Sequence, residues 1–358
     1  MQPGPNHAAV LVKPREVRLE EAPVPRPGER EVLVEVRSVG VCGSDVHYYE
    51  EGRIGDFVVR APLVLGHEAS GIVVECGPGA RLQPGTLVAI EPGVPCRACP
   101  QCRTGHYNLC PDVRFLATPP VDGAFTRYLA VPEDFCFPVP GSLSADAAAL
   151  IEPLSVGVWA CRRAGVTLGD RVLVTGAGPI GLLCALVARS AGAEPAICDI
   201  NPDRLARARR LGLGAAIDLR DTALDELGPY DAFIECTGAQ GVAAAGLAAL
   251  RPAGFAILVG MSASDELTLP LSLLQTRELM ITGSFRYANT YPAAISLAAS
   301  GAINLDELVD AVFTLDRAEE ALKATRGNPA LIKVVVHPSA GSSTATGAQH
   351  DAAPGQGG

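Results

Sequence analysis

The sequence predicts an α/β chain in two parts, a partly open β-barrel followed by a doubly wound parallel sheet. Three observations carry this. Through the first ~150 residues apolar and polar side chains alternate, as in Glu31-Val32-Leu33-Val34-Glu35-Val36-Arg37, the period of a half-buried strand. Beyond Ala147 the pattern changes to strands alternating with helices, the order that builds a parallel sheet. Between one such strand and its helix stands Gly176-Ala177-Gly178-Pro179-Ile180-Gly181, a glycine pattern that opens a nucleotide crevice.

The elements follow in order. Gly71-Ile72-Val73-Val74-Glu75 and Thr86-Leu87-Val88-Ala89-Ile90 are short barrel strands, separated by turns at Gly77-Pro78-Gly79 and Pro84-Gly85. Helical spacing runs from Ala147 through Trp159, Ala160 and Cys161. Arg171 to Thr175 is a continuous apolar run and reads as a buried parallel strand. A helix from Pro179 to Ala191, a strand from Pro195 to Ile200 and a helix from Asn201 to Leu211 come next. Ala232 to Cys236 and Phe255 to Val259 read as further strands. Helices at Ala293 to Ala299 and around Arg317 to Thr325 precede a final strand, Leu331 to Val336. The Ser/Ala/Gly/Gln-rich stretch from Pro338 has no periodicity and reads as a disordered tail. The expected division is 1–151 for a metal-binding catalytic domain and 152–287 for a cofactor domain. Residues 288–337 are expected to return to the first domain, with 338–358 as the tail.

Composition narrows the function. Hydrophobic content of 48% with 19% charged residues suits a globular chain. A net charge of −10, from Lys+Arg 29 against Asp+Glu 39, argues against nucleic acid or an anionic membrane as partner. The N-terminus lacks a basic start followed by an apolar core, and no apolar run approaches the ~20 residues that span a bilayer. Eleven cysteines, four of them at metal spacing, favour reduced thiols over disulfides. The expected compartment is the cytoplasm.

Two groups of metal ligands stand out. Cys42-Gly43-Ser44-Asp45-Val46-His47 is answered by Gly66-His67-Glu68. A thiolate, an imidazole and a carboxylate suit a zinc ion that keeps a fourth position open, as catalytic zinc does. Cys42 and His67 are the firmest ligands. Glu68 and Glu152 compete for the third place, since Glu152 precedes Pro153 at a domain junction where a buried carboxylate needs a reason. Cys96, Cys99, Cys102 and Cys110 lie in a Pro-rich loop and can close round one structural zinc. An iron–sulfur cluster is the competing reading of four such thiols. The single cluster and the neighbouring catalytic pattern favour zinc. Cys76, Cys136, Cys161, Cys184, Cys198 and Cys236 read as ordinary buried thiols. His7, His337 and His350 carry no signal, and His106 reads as a surface histidine within the cysteine lobe.

In the cofactor motif Gly176 permits the tight turn, Gly178 the approach of pyrophosphate, and Gly181 close helix–strand packing. Asp199 closes the next strand. It is placed to accept hydrogen bonds from ribose hydroxyls and to repel a 2′-phosphate, which favours NAD over NADP. Arg204 could stack on adenine or simply sit on a helix surface.

Together these residues resemble the zinc-dependent medium-chain dehydrogenases, and within them the polyol (sorbitol/xylitol) dehydrogenase branch. The branch is marked by Val46-His47-Tyr48, Gly52-Arg53-Ile54-Gly55, Ala117-Thr118-Pro119-Pro120, Glu152-Pro153-Leu154-Ser155-Val156 and Phe285-Arg286-Tyr287. The resemblance runs from about Val10 to Val336 and implies a GroES-like barrel with a Rossmann cofactor domain. It implies a catalytic zinc on Cys42, His67 and Glu68 plus water, with Glu152 touching that water or the substrate. Tyr48, Ile54, Phe115, Glu152, Arg286 and Tyr287 would line a sugar-alcohol pocket. Ile180, Asp199, Arg204, the Val259-Gly260-Met261 segment and Phe285-Arg286 would hold NAD. A homotetramer is implied, or a dimer. Alcohol dehydrogenases of the family carry cysteine where Glu152 stands, which disfavours a simple-alcohol role. The implied reaction takes a secondary hydroxyl to a ketone, with Ser44 receiving the proton and passing it through the nicotinamide ribose to His47. The competing branches act on threonine or butanediol, and a non-catalytic relative is the remaining alternative.

Overall fold

The computed structural model describes residues 4–262 and 266–340. The predicted tail therefore lies outside the described residues beyond 340. Two sheets organise the chain. The first is seven-stranded and mixed. Its path runs Cys136–Pro138, Leu87–Ile90, Glu68–Cys76, Glu31–Gly40, Lys333–His337 and Val309–Thr314, and Tyr128–Pro132 also pairs with Glu31–Gly40. Asn6–Lys13 and Glu16–Ala22 form an antiparallel hairpin beside it. The strand read at Glu31 to Arg37 extends to Gly40, but its burial does not alternate: Val32, Leu33, Val34, Val36 and Val39 are all fully buried, because both faces of this central strand are covered.

The second sheet has six strands, all parallel, in the order Ala215–Asp218, Glu194–Asp199, Arg171–Thr175, Tyr230–Glu235, Leu250–Leu258, Met280–Gly283. The strand order reverses between Arg171–Thr175 and Tyr230–Glu235, and ligands of such sheets bind in the crevice at that point. Helix Pro179–Ser190 follows directly, with Gly178 as its N-cap and Pro179 at its first position. Gly176 has φ of 89°, a left-handed turn that glycine makes without strain. A Cβ at Gly181 would overlap the Gly176 carbonyl oxygen, so the third glycine is required by the helix lying against the turn.

Helix Ile151–Arg163 leads from the barrel into the second sheet. It packs on Pro179–Ser190 and on helix Tyr291–Ala299 within one large apolar core that includes Leu150, Leu154, Leu182 and Tyr291. The return of the chain is the decisive topological step. Lys333–His337 pairs antiparallel with Glu31–Gly40, Val335 opposite Gly40 and Val336 opposite Val39. This places Lys333, fully buried, against Glu68. Its ammonium donates to both carboxylate oxygens at 2.7 and 2.8 Å and to the Val41 carbonyl at 3.2 Å. Gly40 has no side chain because the Glu68 carboxylate occupies that space.

Three expectations are corrected. Cys76 and Cys236 are only half-buried, whereas Cys136, Cys161, Cys184 and Cys198 are buried. Both half-buried thiols sit at strand ends, where packing thins out. The last strand starts at Lys333, not Leu331. His337 does carry a role: its Nε2 lies 2.7 Å from Asp146 Oδ1 and ties the last strand to the helix Ala145–Ala149.

Breaking one side of a buried ion pair leaves an uncompensated charge, which costs about 3–5 kcal/mol. Lys333→Ala is therefore expected to lose that order of stability in denaturant unfolding of the metal-free chain. Lys333→Met combined with Glu68→Gln is expected to recover a good part of it. Equal losses in the single and double variants would show that the pair is not what holds the last strand.

Candidate active site

Helix Gly43–Glu51 starts immediately after Cys42, which is its N-cap. Asp45 explains the local geometry. One of its oxygens accepts from the Cys42 N–H at 2.9 Å, the reciprocal half of a capping box. The other accepts from the Gly66 N–H at 2.9 Å and lies 3.8 Å from His67 Nδ1. A single fully buried carboxylate thus fixes both segments that carry the candidate ligands. Gly66 takes φ of 86°, and a Cβ there would meet Phe125 and Val39 at 2.8 Å. The bare turn is what lets His67 swing inward.

Cys42 Sγ, a His67 ring nitrogen and a Glu68 oxygen all lie within 4.8 Å of one another. One soft and two harder donors in that space fit a zinc ion with a position left over for substrate. Glu152 lies beside the trio rather than in it. Burial pushes its carboxyl up to about 7, with His67 opposing the shift and Glu68 adding to it. The Tyr287 hydroxyl donates to Glu152 Oε1 at 2.6 Å. Burial opposes the positive charge on His67, but the adjacent Asp45 and Cys42 outweigh it and hold the imidazole well above its ordinary value. A proton and a metal ion therefore compete for the same nitrogen.

The wall facing the trio is aromatic and cationic. The Phe115 ring lies 5.6 Å from the His67 ring, and the Arg286 guanidinium sits 3.8 Å over Phe115. Tyr48 and Tyr287 are buried, and burial raises both phenols. Ile54 is half-buried on the short strand Arg53–Ile54. Ser44 is half-buried on the first turn of the helix. His47 is on the solvent side, its side chain 62% exposed and 3.7 Å from Glu51.

The four-cysteine loop has the geometry of a closed site. All four sulfurs lie within 4.8 Å of one another. The Cys99–Cys102 and Cys96–Cys102 separations are 3.4 and 3.9 Å. Sulfurs on a tetrahedral zinc at about 2.3 Å would be about 3.8 Å apart. Backbone N–H groups of Cys96, Cys99 and Cys102 point at Cys110, Cys96 and Cys99 sulfurs. Hydrogen bonds from the Ala98 and Cys99 amides pull the Cys96 thiol down to about 7. His106 is exposed and pairs with Thr104 at 3.2 Å, outside the sulfur set.

At the crevice of the parallel sheet Asp199 is buried and accepts from the Ala177 N–H at 2.6 Å and the Asn201 N–H at 2.8 Å. These bonds aim the carboxylate at the turn. Arg204 lies 4.0 Å from Asp199 while its Nε donates to the Pro329 carbonyl at 2.9 Å. Val259 and Gly260 are half-buried and give their N–H groups to the Glu235 carbonyl at 2.8 and 3.0 Å. Met261 and Phe285 are exposed, at 72% and 44%. Asp45, Lys333 and Glu235 are the residues that sequence reasoning missed. Asp45 had a legible signal, the capping-box spacing from Cys42. Glu235 is buried and accepts from Thr237 and Gly238 at the crevice mouth.

Comparison with known proteins gives the family. The family model described as "Alcohol dehydrogenase GroES-like domain" matches residues 28–141, and that described as "Zinc-binding dehydrogenase" matches 179–300. The sorbitol dehydrogenase of Gallus gallus is 46% identical over 334 residues, 90% of this chain and 94% of its own length. The crystal structure of L-idonate 5-dehydrogenase from Escherichia coli has a TM-score of 0.88 at 32% identity, covering 94% of this chain and 99% of that one. For 2R,3R-butanediol dehydrogenase from Bacillus subtilis the values are 0.84, 29%, 93% and 99%. With its two sets of metal-spaced ligands, its nucleotide crevice and these relatives, the chain belongs to the zinc-dependent medium-chain dehydrogenases, in the branch that holds the sorbitol dehydrogenases.

Proposed function

We propose that the chain oxidises a secondary hydroxyl of a sorbitol- or xylitol-like polyol to a ketone, using zinc and NAD⁺. The observation that carries this reading is the Arg286–Phe115–His67 stack beside Tyr287 and Glu152. It would offer hydrogen-bonding groups to the further hydroxyls of a polyol, which a simple alcohol lacks. Cys42, His67 and Glu68 would hold a catalytic zinc, and Cys96, Cys99, Cys102 and Cys110 a structural one. Bound at the first site, the ion supplies Lewis acidity that lowers the pKa of a hydroxyl, while NAD⁺ accepts hydride.

The chain's own residues do the rest. Ser44, two residues after Cys42 in the first turn of the helix, takes the hydroxyl proton as its own passes on towards His47. His47, on the solvent face of the same helix, returns it to water. Glu152 adjusts the charge round the site, and Arg286 and Tyr287 orient the remaining hydroxyls. Gly176, Gly178, Ile180 and Gly181 would cradle the dinucleotide, with Asp199 on its ribose and Arg204 beside it. Val259, Gly260, Met261 and Phe285 would complete the crevice. On this reading residues 1–151 and 288–337 serve metal and substrate and 152–287 serve NAD, with Glu152, Arg286 and Tyr287 reaching the substrate from the two ends of that segment. A homotetramer, or a dimer, is the proposed assembly. The edge strand Met280–Gly283, with Met280 54% exposed, is open to such pairing. A cytoplasmic location is proposed. It accords with the absence, among the described residues, of any helix long and apolar enough to cross a membrane, and with eleven unpaired cysteines.

The test of the substrate class is the initial rate of NADH formation with sorbitol, xylitol, ribitol, the arabinitols, threonine, butanediol and ethanol. Preference for five- and six-carbon polyols is expected. Preference for threonine or a diol would retain the zinc–NAD chemistry and discard the polyol pocket.

Cys42→Ala and His67→Ala are each expected to drop the metal count by one ion per chain and turnover to background. Turnover that persists without the metal would overturn the mechanism. Asp199→Ala is expected to reduce the preference for NAD over NADP by at least about tenfold, or ~1.4 kcal/mol. An unchanged ratio of kcat/KM values would remove Asp199 from cofactor selection.

A further inference from the structure

Within the segment 285–289, Arg286 and Asn289 have φ of 51° and 57°. Neither is glycine, and such backbone persists only where the surroundings over-determine it. Tyr287 and Ala288 are buried in the main core and Arg162 donates to the Asn289 carbonyl at 3.1 Å; further bonds to the segment come from the cysteine lobe. The Asn108 side-chain amide donates to the Phe285 carbonyl at 2.8 Å. The Asn289 N–H donates to the Tyr107 hydroxyl at 2.8 Å, and the Asn289 side-chain amide to the Gly105 carbonyl at 2.9 Å. Tyr107 in turn donates to the buried Glu91 at 2.7 Å, which anchors it to the barrel. All three lobe partners lie between Cys102 and Cys110.

The lobe is only thinly packed on the body. From 96 to 110 only Asn108 and Cys110 are buried. Arg97 pairs with Asp134 at 2.8 Å and lies over Phe135, and the Tyr107 ring meets Phe135 edge-on, so besides this barrel contact the polar seam is the link between the lobe and segment 285–289. On the far side of the seam the same short segment presents Arg286 over Phe115 and the Tyr287 hydroxyl to Glu152. A shift of the segment would move both groups together.

We propose that the four-cysteine lobe is the support that aims the substrate-facing segment 285–289. Tyr107, Asn108 and Asn289 are its positioning residues. The lobe then sets selectivity for polyols and is not only a fold-stabilising clip. The selectivity part rests on the polyol reading above; the positioning part does not.

The experiment uses the full zinc-loaded chain with three variants. Tyr107→Phe keeps the ring and removes both hydroxyl bonds. Asn108→Ala removes the bond to Phe285. Asn289→Gly keeps the left-handed backbone and removes only the bond to Gly105. Hydrogen–deuterium exchange over 284–290 is expected to rise about tenfold or more in the variants, with exchange in the six-stranded sheet unchanged. KM for sorbitol is expected to rise about tenfold with kcat nearly constant, while kcat/KM for 2-propanol stays put. Unchanged exchange over 284–290 at full zinc content would overturn the positioning role, whatever the substrate. Equal losses for sorbitol and 2-propanol would overturn the selectivity role. A wild-type chain inactive on sorbitol would instead overturn the polyol reading, and the exchange result would still decide the positioning.

Discussion

The structure depends on keeping a carboxylate, Glu68, buried in the middle of the first sheet. Burial of an unpaired charge is prohibitive, so a partner has to be brought to it. That partner is Lys333, and its burial is opposed by the same physics. Burial works against the ammonium, but Glu68 and Cys42 outweigh it and hold the Lys333 pKa above its ordinary value. The geometry is complete: two carboxylate oxygens and the Val41 carbonyl take the three protons of the ammonium.

The cost of this solution is topological. Glu68 and Lys333 are separated by 265 residues, and the whole parallel sheet is made between them. The barrel can close only when the last strand returns to lie along Glu31–Gly40. Contacts of such long sequence separation form late, because loop closure has to precede them. The His337–Asp146 pair and the packing of Leu315 and Leu322 with the barrel core secure the returned segment. A metal site assembled in this way is complete only in the fully folded chain, which couples metal affinity to folding.

What the sequence made legible follows from distance along the chain. Cys42 and His67 were visible because each sits in a short string whose turn or helix start places it. The fingerprint at Gly176 was visible because strand, turn and helix are contiguous. The parallel strands were visible as apolar runs, yet Leu250–Leu258 begins well before the run at Phe255, since Arg251, Pro252 and Ala253 are exposed and break the pattern. The hairpin strand Glu16–Ala22 has only exposed or half-buried residues, so it lacks an inward face to read. Lys333, Glu91 and Asn289 were silent for another reason. Each matters through a partner that only the topology brings near, and a lone charged or amide residue has no spacing to betray it. Which carboxylate joins Cys42 and His67 was left open by spacing alone. The gathered trio puts Glu68 within reach of both, with Glu152 engaged by Tyr287 beside them.

The same accounting of buried charge bears on substrate choice. Arg286 is half-buried, and desolvation lowers the pKa of its guanidinium. It has found aromatic faces at Phe115 and Phe285 rather than a carboxylate. Glu152 is buried with its carboxyl raised to about 7 and one hydroxyl for company. A small apolar alcohol would shut water out of this space and leave both groups with nothing more to bond. A molecule with several hydroxyls can donate to Glu152 and accept from Arg286 while one of its oxygens reaches the metal ligands. Sites of this kind discriminate strongly, because the wrong ligand leaves buried polar groups unpaired. The polarity of the wall, more than the identity of the metal ligands, is therefore the physical reason to expect a polyol.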